Sequence, residues 1–436
     1  MANRDVCTNS RPRRSILAIA TAFYAFILSA PVLAGTTFGI FDARTLAMGG
    51  VSVASANNDN AQFYNAALLA FNDEVEERTQ DSRFLFPLII PQFAESTIDL
   101  ELLAGDDPSQ SISRAIRDFN TLPNSMTAQA VVDVTANLDT TLADLDGEDV
   151  FADIYIGLAL SEPGKFLGAG FFMGVRLLAG GQSTVTAADL AVLGAYQEGL
   201  SFVASGGAQG AAHPELFDVN GALIDPGNGL NSTVDAAGIT ITEIGVAMSR
   251  QIHLFGQPIA AGISFKVMGI ETFEDVERIV GDRIDVGRNS ETDTNVNFDV
   301  GLAKEFGERW RVGLAVKDII PHNYETSLGT VVRFRPRPRI GVAYQAGRLQ
   351  IAADADLFEN QPLGSEKPTQ EAAVGAEWAF GRPVKLRAGY RHNFQGNRDG
   401  IVSAGVGALW KRLAIDLAYA QGRDARALAM QLGIAF

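Results

Sequence analysis

The sequence predicts an all-β protein, a transmembrane antiparallel β-barrel of about fourteen strands, since bacterial barrels have even strand numbers. Three observations lead there. Bulky apolar residues alternate with small or polar ones in run after run, most regularly in the C-terminal half. Beyond residue 35 no stretch of some eighteen apolar residues offers a helical span, although 47% of the chain is hydrophobic beside a net charge of −16. The first 34 residues carry the marks of export.

At the N-terminus, Arg11, Arg13 and Arg14 form a basic head and Ile16 to Ala30 an apolar stretch. Val32 and Ala34 then fit a small-residue cleavage site, with the cut before Gly35. Residues 1–34 read as a secretory signal peptide, the alternative being an uncleaved anchor. Cys7, the one cysteine, lies inside it, so the mature chain has no thiol for disulfide, redox or thiolate-metal chemistry. Removing the segment takes away four arginines and one aspartate and leaves a charge of −19. Such a surface disfavours nucleic acid as a partner.

Residues 73–436 carry the stripes. They are read over 83–93, 150–160, 166–179, 239–253, 257–271, 274–286, 294–306, 309–319, 327–346 (one strand or two), 348–358, 370–380, 383–391, 401–410, 412–421 and 426–436. In one of them Trp310, Val312, Leu314 and Val316 alternate with Arg311, Gly313, Ala315 and Lys317. In the last, Leu428, Met430, Leu432, Ile434 and Phe436 alternate with Ala429, Gln431, Gly433 and Ala435. Most runs approach the roughly nine to eleven residues that a tilted strand needs to cross a bilayer. The second face mixes charge with glycine and alanine, which suits a crowded polar lumen. The large set then faces lipid, and Phe436 is the expected C-terminal signal for the barrel-insertion machinery.

Two insertions break the rhythm, near 100–147 and 181–237. In the first, Ile112, Ala115, Ile116 and Phe119 share a helix face, Pro123 interrupts, and Val131, Val134, Leu138, Leu142 and Leu145 mark a second helix. In the other, "TAADLAVLGAYQEGLSFV" reads as helical. With both chain ends periplasmic, strand parity puts both insertions on the outer side. Ile112, Ile116, Phe119, Val134, Leu138 and Leu142 are candidates for an outer groove. The alternatives are helices packed on each other, or a contact surface for another cell or a transfer apparatus.

The stretch "FDARTLAMGGVSVASANNDNAQFYNAALLAF", residues 41–71, adds a resemblance through Phe41, Asp42, Ala43, Arg44, Ala47, Met48, Gly49, Gly50, Tyr64, Asn65, Ala67 and Leu68. It is similar to the start of barrel proteins related to the FadL long-chain fatty-acid transporters. In particular it resembles the outer-membrane family called conjugal transfer protein TraF. "VNFDVGLA", "VGLAVKDIIP" and "KLRAGYRHN" extend the likeness to nearly the whole chain. Family members usually show Asn-Pro-Ala where this chain has Asn65-Ala66-Ala67. A thioredoxin-like plasmid protein shares the TraF name, and a cysteine-free mature chain does not fit it. The resemblance implies that residues 35–72 fold inward as a hatch, with Asp42, Arg44, Gly49, Gly50 and Asn65 as its candidate residues. Without it, the segment reads as a first strand plus loop. The resemblance also implies that the outer groove captures a hydrophobic ligand.

Other constellations have bland readings. His213, His253, His322 and His392 match no metal spacing. Gly168, Gly170 and Gly174 lack the helix and lysine of a nucleotide loop. Asp354 and Asp356 share a strand face as an acid pair or as partners of lumen arginines. Arg333, Arg335, Arg337 and Arg339 share a face as an anion site or an interior ladder. No catalytic residue, cofactor site or metal site is expected, and the protein is expected not to be an enzyme.

The expected setting is the bacterial outer membrane, with membrane lipid as a partner. The first functional expectation, from the family label, is a part in plasmid conjugal transfer with the conjugation apparatus as partner. The alternatives are a passive transporter of hydrophobic small molecules and a periplasmic all-β adaptor. Transport requires a continuous apolar path through the lumen, a transfer component a sealed lumen, and an adaptor stripes that point inward.

Overall fold

The computed structural model describes residues 36–71, 83–94, 108–147, 149–227, 229–254, 256–280, 289–360, 368–381, 383–396, 398–423 and 425–435. The signal-peptide reading of 1–34 and the insertion-signal reading of Phe436 lie outside these residues. Among the described residues, fourteen antiparallel strands close into a barrel. In chain order they are β1 (Arg83–Ala94), β2 (Asp149–Glu162), β3 (Gly168–Thr184), β4 (Thr233–Leu254), β5 (Gln257–Arg278), β6 (Ser290–Phe306) and β7 (Trp310–Lys317). After a separate two-stranded hairpin, β8 (His322–Glu325) and β9 (Val331–Phe334), the barrel continues. Its remaining strands are β10 (Arg337–Ala346), β11 (Leu349–Asp356), β12 (Glu371–Phe380), β13 (Val384–Asn393), β14 (Ile401–Trp410), β15 (Leu413–Gln421) and β16 (Ala425–Ala435). β1 pairs with β2 on one side and β16 on the other, and this closes the ring.

The stripes face outward. On β16 Leu428 is 58% exposed, while Ala429 is fully buried on the lumen side. Trp378, Phe380, Trp410, Phe306 and Trp310, all exposed, sit beside the short turns, where aromatic girdles meet the interface. The adaptor reading is therefore corrected: the large apolar set does not meet a second sheet.

The wall is tall on one side. β12 to β14 have 10 residues each, whereas β4 and β5 have 22 each and pair along their whole length. At about 3.4 Å per residue such a strand extends well past the hydrocarbon core. The expected strands 257–271 and 274–286 are thus corrected to one strand, β5. The reason is a change of sign along it. Ile263, Phe265 and Val267 face outward, but farther up it is Met268 and Ile270 that are buried, facing in. The apolar face swaps sides between Val267 and Met268, so the two-residue period loses its phase before the expected end at 271 and no longer carries the strand onward.

The insertions form helices over the tall side: α3 (Pro108–Thr121), α4 (Ser125–Leu145) and α5 (Ala187–Ala204), numbered after two short hatch helices, α1 (Ala43–Ala47) and α2 (Ala61–Tyr64). Asn124 caps α4 through a capping box with Thr127. Ile112, Ile116, Phe119, Leu138 and Leu142 are buried with Leu193, Tyr196 and Leu200 of α5 in one apolar cluster, and half-buried Val134 packs against it. The open-groove expectation for these six residues is corrected: their faces cover one another, because helices from both insertions meet there.

Candidate functional site

Residues 36–71 lie inside the barrel, almost all buried. Asp42 caps α1, accepting the Thr45 amide at 2.9 Å, and takes the Tyr64 hydroxyl at 2.7 Å. Burial first, and Asp42 second, push the Tyr64 phenol well above its ordinary pKa, so it stays a neutral donor. Arg44 reaches three ways: to Glu377 of β12 at 2.9 Å, to the Ser55 carbonyl at 2.9 Å and to Gln350 of β11 at 2.5 Å. Asn65 caps the 3-10 turn Ala66–Ala70 through the Ala67 amide, and donates to the Val53 carbonyl at 2.8 Å and the Leu302 carbonyl of β6 at 3.2 Å. Gly49 and Gly50 adopt φ of +75° and +102°, which favour glycine. A Cβ on Gly49 would also come within 2.8 Å of the Tyr390 backbone on β13. All five residues lie in the lumen: Arg44, Gly49 and Asn65 meet the wall, Gly49 and Gly50 make the turn, and Asp42 bonds within the segment itself.

The wall is cut to receive them. Gly375 and Gly389 are register partners on β12 and β13, and a Cβ on either would strike Met48 or the Gly49 amide. Gly301 faces Asn65, Gly313 faces the Val53 carbonyl, and Gly405 faces Ala47. Glycine weakens a strand unless something must come close; here the hatch backbone does.

Cations and phenylalanines complete the clasp. The Lys317 ammonium lies 4.0 Å from the Phe41 ring centroid and 5.4 Å from that of Phe38, and donates to the Phe63 carbonyl at 3.0 Å. Arg339 sits 4.6 Å over Phe38, Arg176 5.5 Å over Phe41 and Arg311 4.6 Å over Phe71. A desolvated cation–π contact is worth about 2 kcal/mol. Asp354 accepts the Ser52 and Val53 amides at 2.7 and 2.9 Å, so one member of the acid pair holds the hatch. Asp356 pairs with Arg339 at 2.6 Å. The four-arginine ladder is corrected. Arg333 and Arg335 belong to the hairpin, while Arg337 and Arg339 point into the lumen from β10, because the chain breaks pairing at Pro336.

The inward face of β5 shows how the lumen is layered. Ala260 and Gly262 touch the hatch. Next comes Lys266, fully buried, 3.2 Å from Glu243, 3.1 Å from Asp299 and 2.6 Å from Asp318. Asp318 also pairs with Arg337, and Arg176 with Asp153 at 2.7 Å. Met268 and Ile270 follow, in an apolar layer with Leu178, Ile239 and Ile241. A girdle of buried charge thus separates the aromatic hatch from the apolar layer above it. Sequence reasoning missed Glu377, Lys317, Lys266 and Asp318. The available signal was a charged residue on the small-residue face of a spanning strand, with Asp318 directly after Lys317.

Among the described residues no three His, Asp or Glu side chains gather in a metal-holding group. His213 is bracketed by Glu215 at 2.7 Å and Glu198 at 3.2 Å on the exposed outer loop.

In overall structure the chain is similar to the Pseudomonas putida toluene transporter TodX, at 12% identity and a TM-score of 0.46, covering 93% of this chain and 99% of that one. It is similar also to the Ralstonia pickettii toluene transporter TbuX, at 10% identity and 0.49, covering 91% and 98%. A Pseudomonas aeruginosa FadL homologue gives 11% and 0.49, covering 92% and 99%. No curated protein sequence matches. Residues 62–356, from the hatch through β11, match the family model described as "F plasmid transfer operon, TraF, protein", and the chain belongs to that family.

Proposed function

We propose that this protein is a sealed barrel of the bacterial outer membrane that serves plasmid conjugal transfer, with the conjugation apparatus as its partner. The observation that carries the reading is the interrupted lumen. A transporter of hydrophobic molecules needs a continuous apolar path, but the apolar layer and the hatch aromatics are separated by the girdle of Lys266, Asp318, Arg337, Arg176 and Asp153. Carrying an apolar solute past such charges would strip them of partners, which costs several kcal/mol per ion. The family description supplies the conjugal setting.

The second reading, passive transport of hydrophobic small molecules, is favoured by the apolar layer itself. One pair of measurements separates the two. Deletion in a plasmid donor is expected to lower mating frequency and leave uptake of a fluorescent hydrophobic probe unchanged, with the full chain restoring mating. Unchanged mating with reduced probe uptake would reverse the assignment. Membrane fractionation with heat-modifiable gel mobility tests the location independently.

A further inference from the structure

The β8–β9 hairpin connects barrel strands β7 and β10, yet it folds into the lumen. Tyr324, Val332 and Phe334 bury against Leu178, Ile239, Ile241, Met268 and Ile270 of the tall wall. From the loop after β13, Arg398 lies 4.8 Å over the ring of Phe151, which packs on the same cluster. The hairpin's base is fixed in the girdle through Asp318, and the Ile320 amide donates to Asn297 at 2.9 Å.

Its tip is held differently. Glu274, 8% exposed near the upper end of β5, accepts the Thr326 hydroxyl, the Thr330 hydroxyl at 2.7 Å and the Thr330 amide at 3.3 Å. Thr272 adds a bond to the Glu325 carbonyl at 2.9 Å. The hairpin turn needs none of these, since the Thr326 amide already bonds the Thr330 carbonyl at 2.9 Å. The carboxylate therefore docks the tip to the wall. Between base and tip, among the described residues, the contacts are apolar apart from one bond that the Asn295 side chain donates to the Tyr324 hydroxyl at 3.2 Å, so the directional bonds gather at the tip, which is the construction of a lid with a catch.

We propose that the β8–β9 hairpin is a second closure of the lumen, distinct from the hatch and latched by Glu274. This rests on the sealed-lumen reading for its purpose, and it makes that seal double. Opening the latch uncovers the apolar layer without moving the hatch.

The cysteine-free mature chain gives a direct test. Ile241→Cys places one thiol beneath the hairpin, and Leu200→Cys places one in the helical core as a control. The full chain in detergent is treated with a membrane-impermeant thiol reagent. With the latch intact both positions label slowly. Glu274→Ala, and separately Thr326→Ala with Thr330→Ala, are expected to speed labelling at position 241 by roughly tenfold per bond lost, the equivalent of about 1.4 kcal/mol. Position 200 stays protected. Equal rates at 241 with and without the latch would overturn the proposal, as would equal acceleration at both positions. Mating frequency does not enter this readout, so the two readings fail separately.

Discussion

Replacing Arg44 by methionine tests whether the hatch is clasped by charge. The residue is 3% exposed and its side chain gives up bonds to Glu377, Ser55 and Gln350. Orphaning a buried charge costs about 3–5 kcal/mol. Glu377, however, keeps Arg387 at 2.7 Å and Lys385 at 3.5 Å, so no carboxylate is stranded. The loss is then three bonds, two of them to uncharged acceptors, partly offset by burial of the methionine, or about 2–3 kcal/mol. Glu377→Gln is the harsher change, because it leaves Arg44 and Arg387 facing each other, and should cost about 3–5 kcal/mol. The double variant should cost less than the sum of the singles. Amide hydrogen exchange reads the hatch separately from the wall: in Arg44→Met, amides of residues 42–70 should exchange roughly 30- to 150-fold faster, those of β14 and β15 at the original rate. Unchanged hatch exchange, or a larger effect from Arg44→Met than from Glu377→Gln, would refute the clasp.

Further expectations concern other parts of the molecule. Gly389→Val should still give a heat-modifiable barrel but expel the hatch around Met48 and Gly49, making residues 42–70 protease-sensitive. Met430→Arg, on the lipid face at 50% exposure near mid-strand, should destabilise the barrel by about 2–4 kcal/mol in urea titrations in lipid vesicles. The hydrogen bonds of His213 to Glu215 and then Glu198 raise its pKa above the ordinary 6.5. The bracket is therefore complete below the unfolded value and is lost as pH rises through the folded one. Protease nicking of the 205–215 loop should increase across that rise, and His213→Gln should remove the dependence.

Much of the barrel was legible because a two-residue period survives wherever one face meets lipid and the other a lumen. It failed where the physics reversed. Above the bilayer Ile239, Ile241, Met268 and Ile270 turn apolar faces inward, so β5 read as two strands. The strands of the β8–β9 hairpin have four residues each, too few for a period to register. The hatch residues were recognisable through resemblance, and Gly49-Gly50 also through their turn chemistry. Their partners were not: that Arg44 meets Glu377, 333 positions away, depends on ring closure and register, which no local pattern encodes. The outer helices were found with their correct apolar faces, but periodicity alone does not say whether such a face is open or covered.

The glycines of the wall have a further consequence. Where Gly301 admits Asn65, Gly375 admits Met48 and Gly389 admits Gly49, plug and cylinder are moulded to each other at the scale of single methyl groups. Neither half is free to drift in sequence alone: a bulkier residue on one must be answered by a trimmed one on the other. Across relatives, substitutions at 65 with 301, 48 with 375 and 49 with 389 should come in matched pairs, and a plug transplanted from one relative into another's cylinder should fit only when its counterpart positions travel with it.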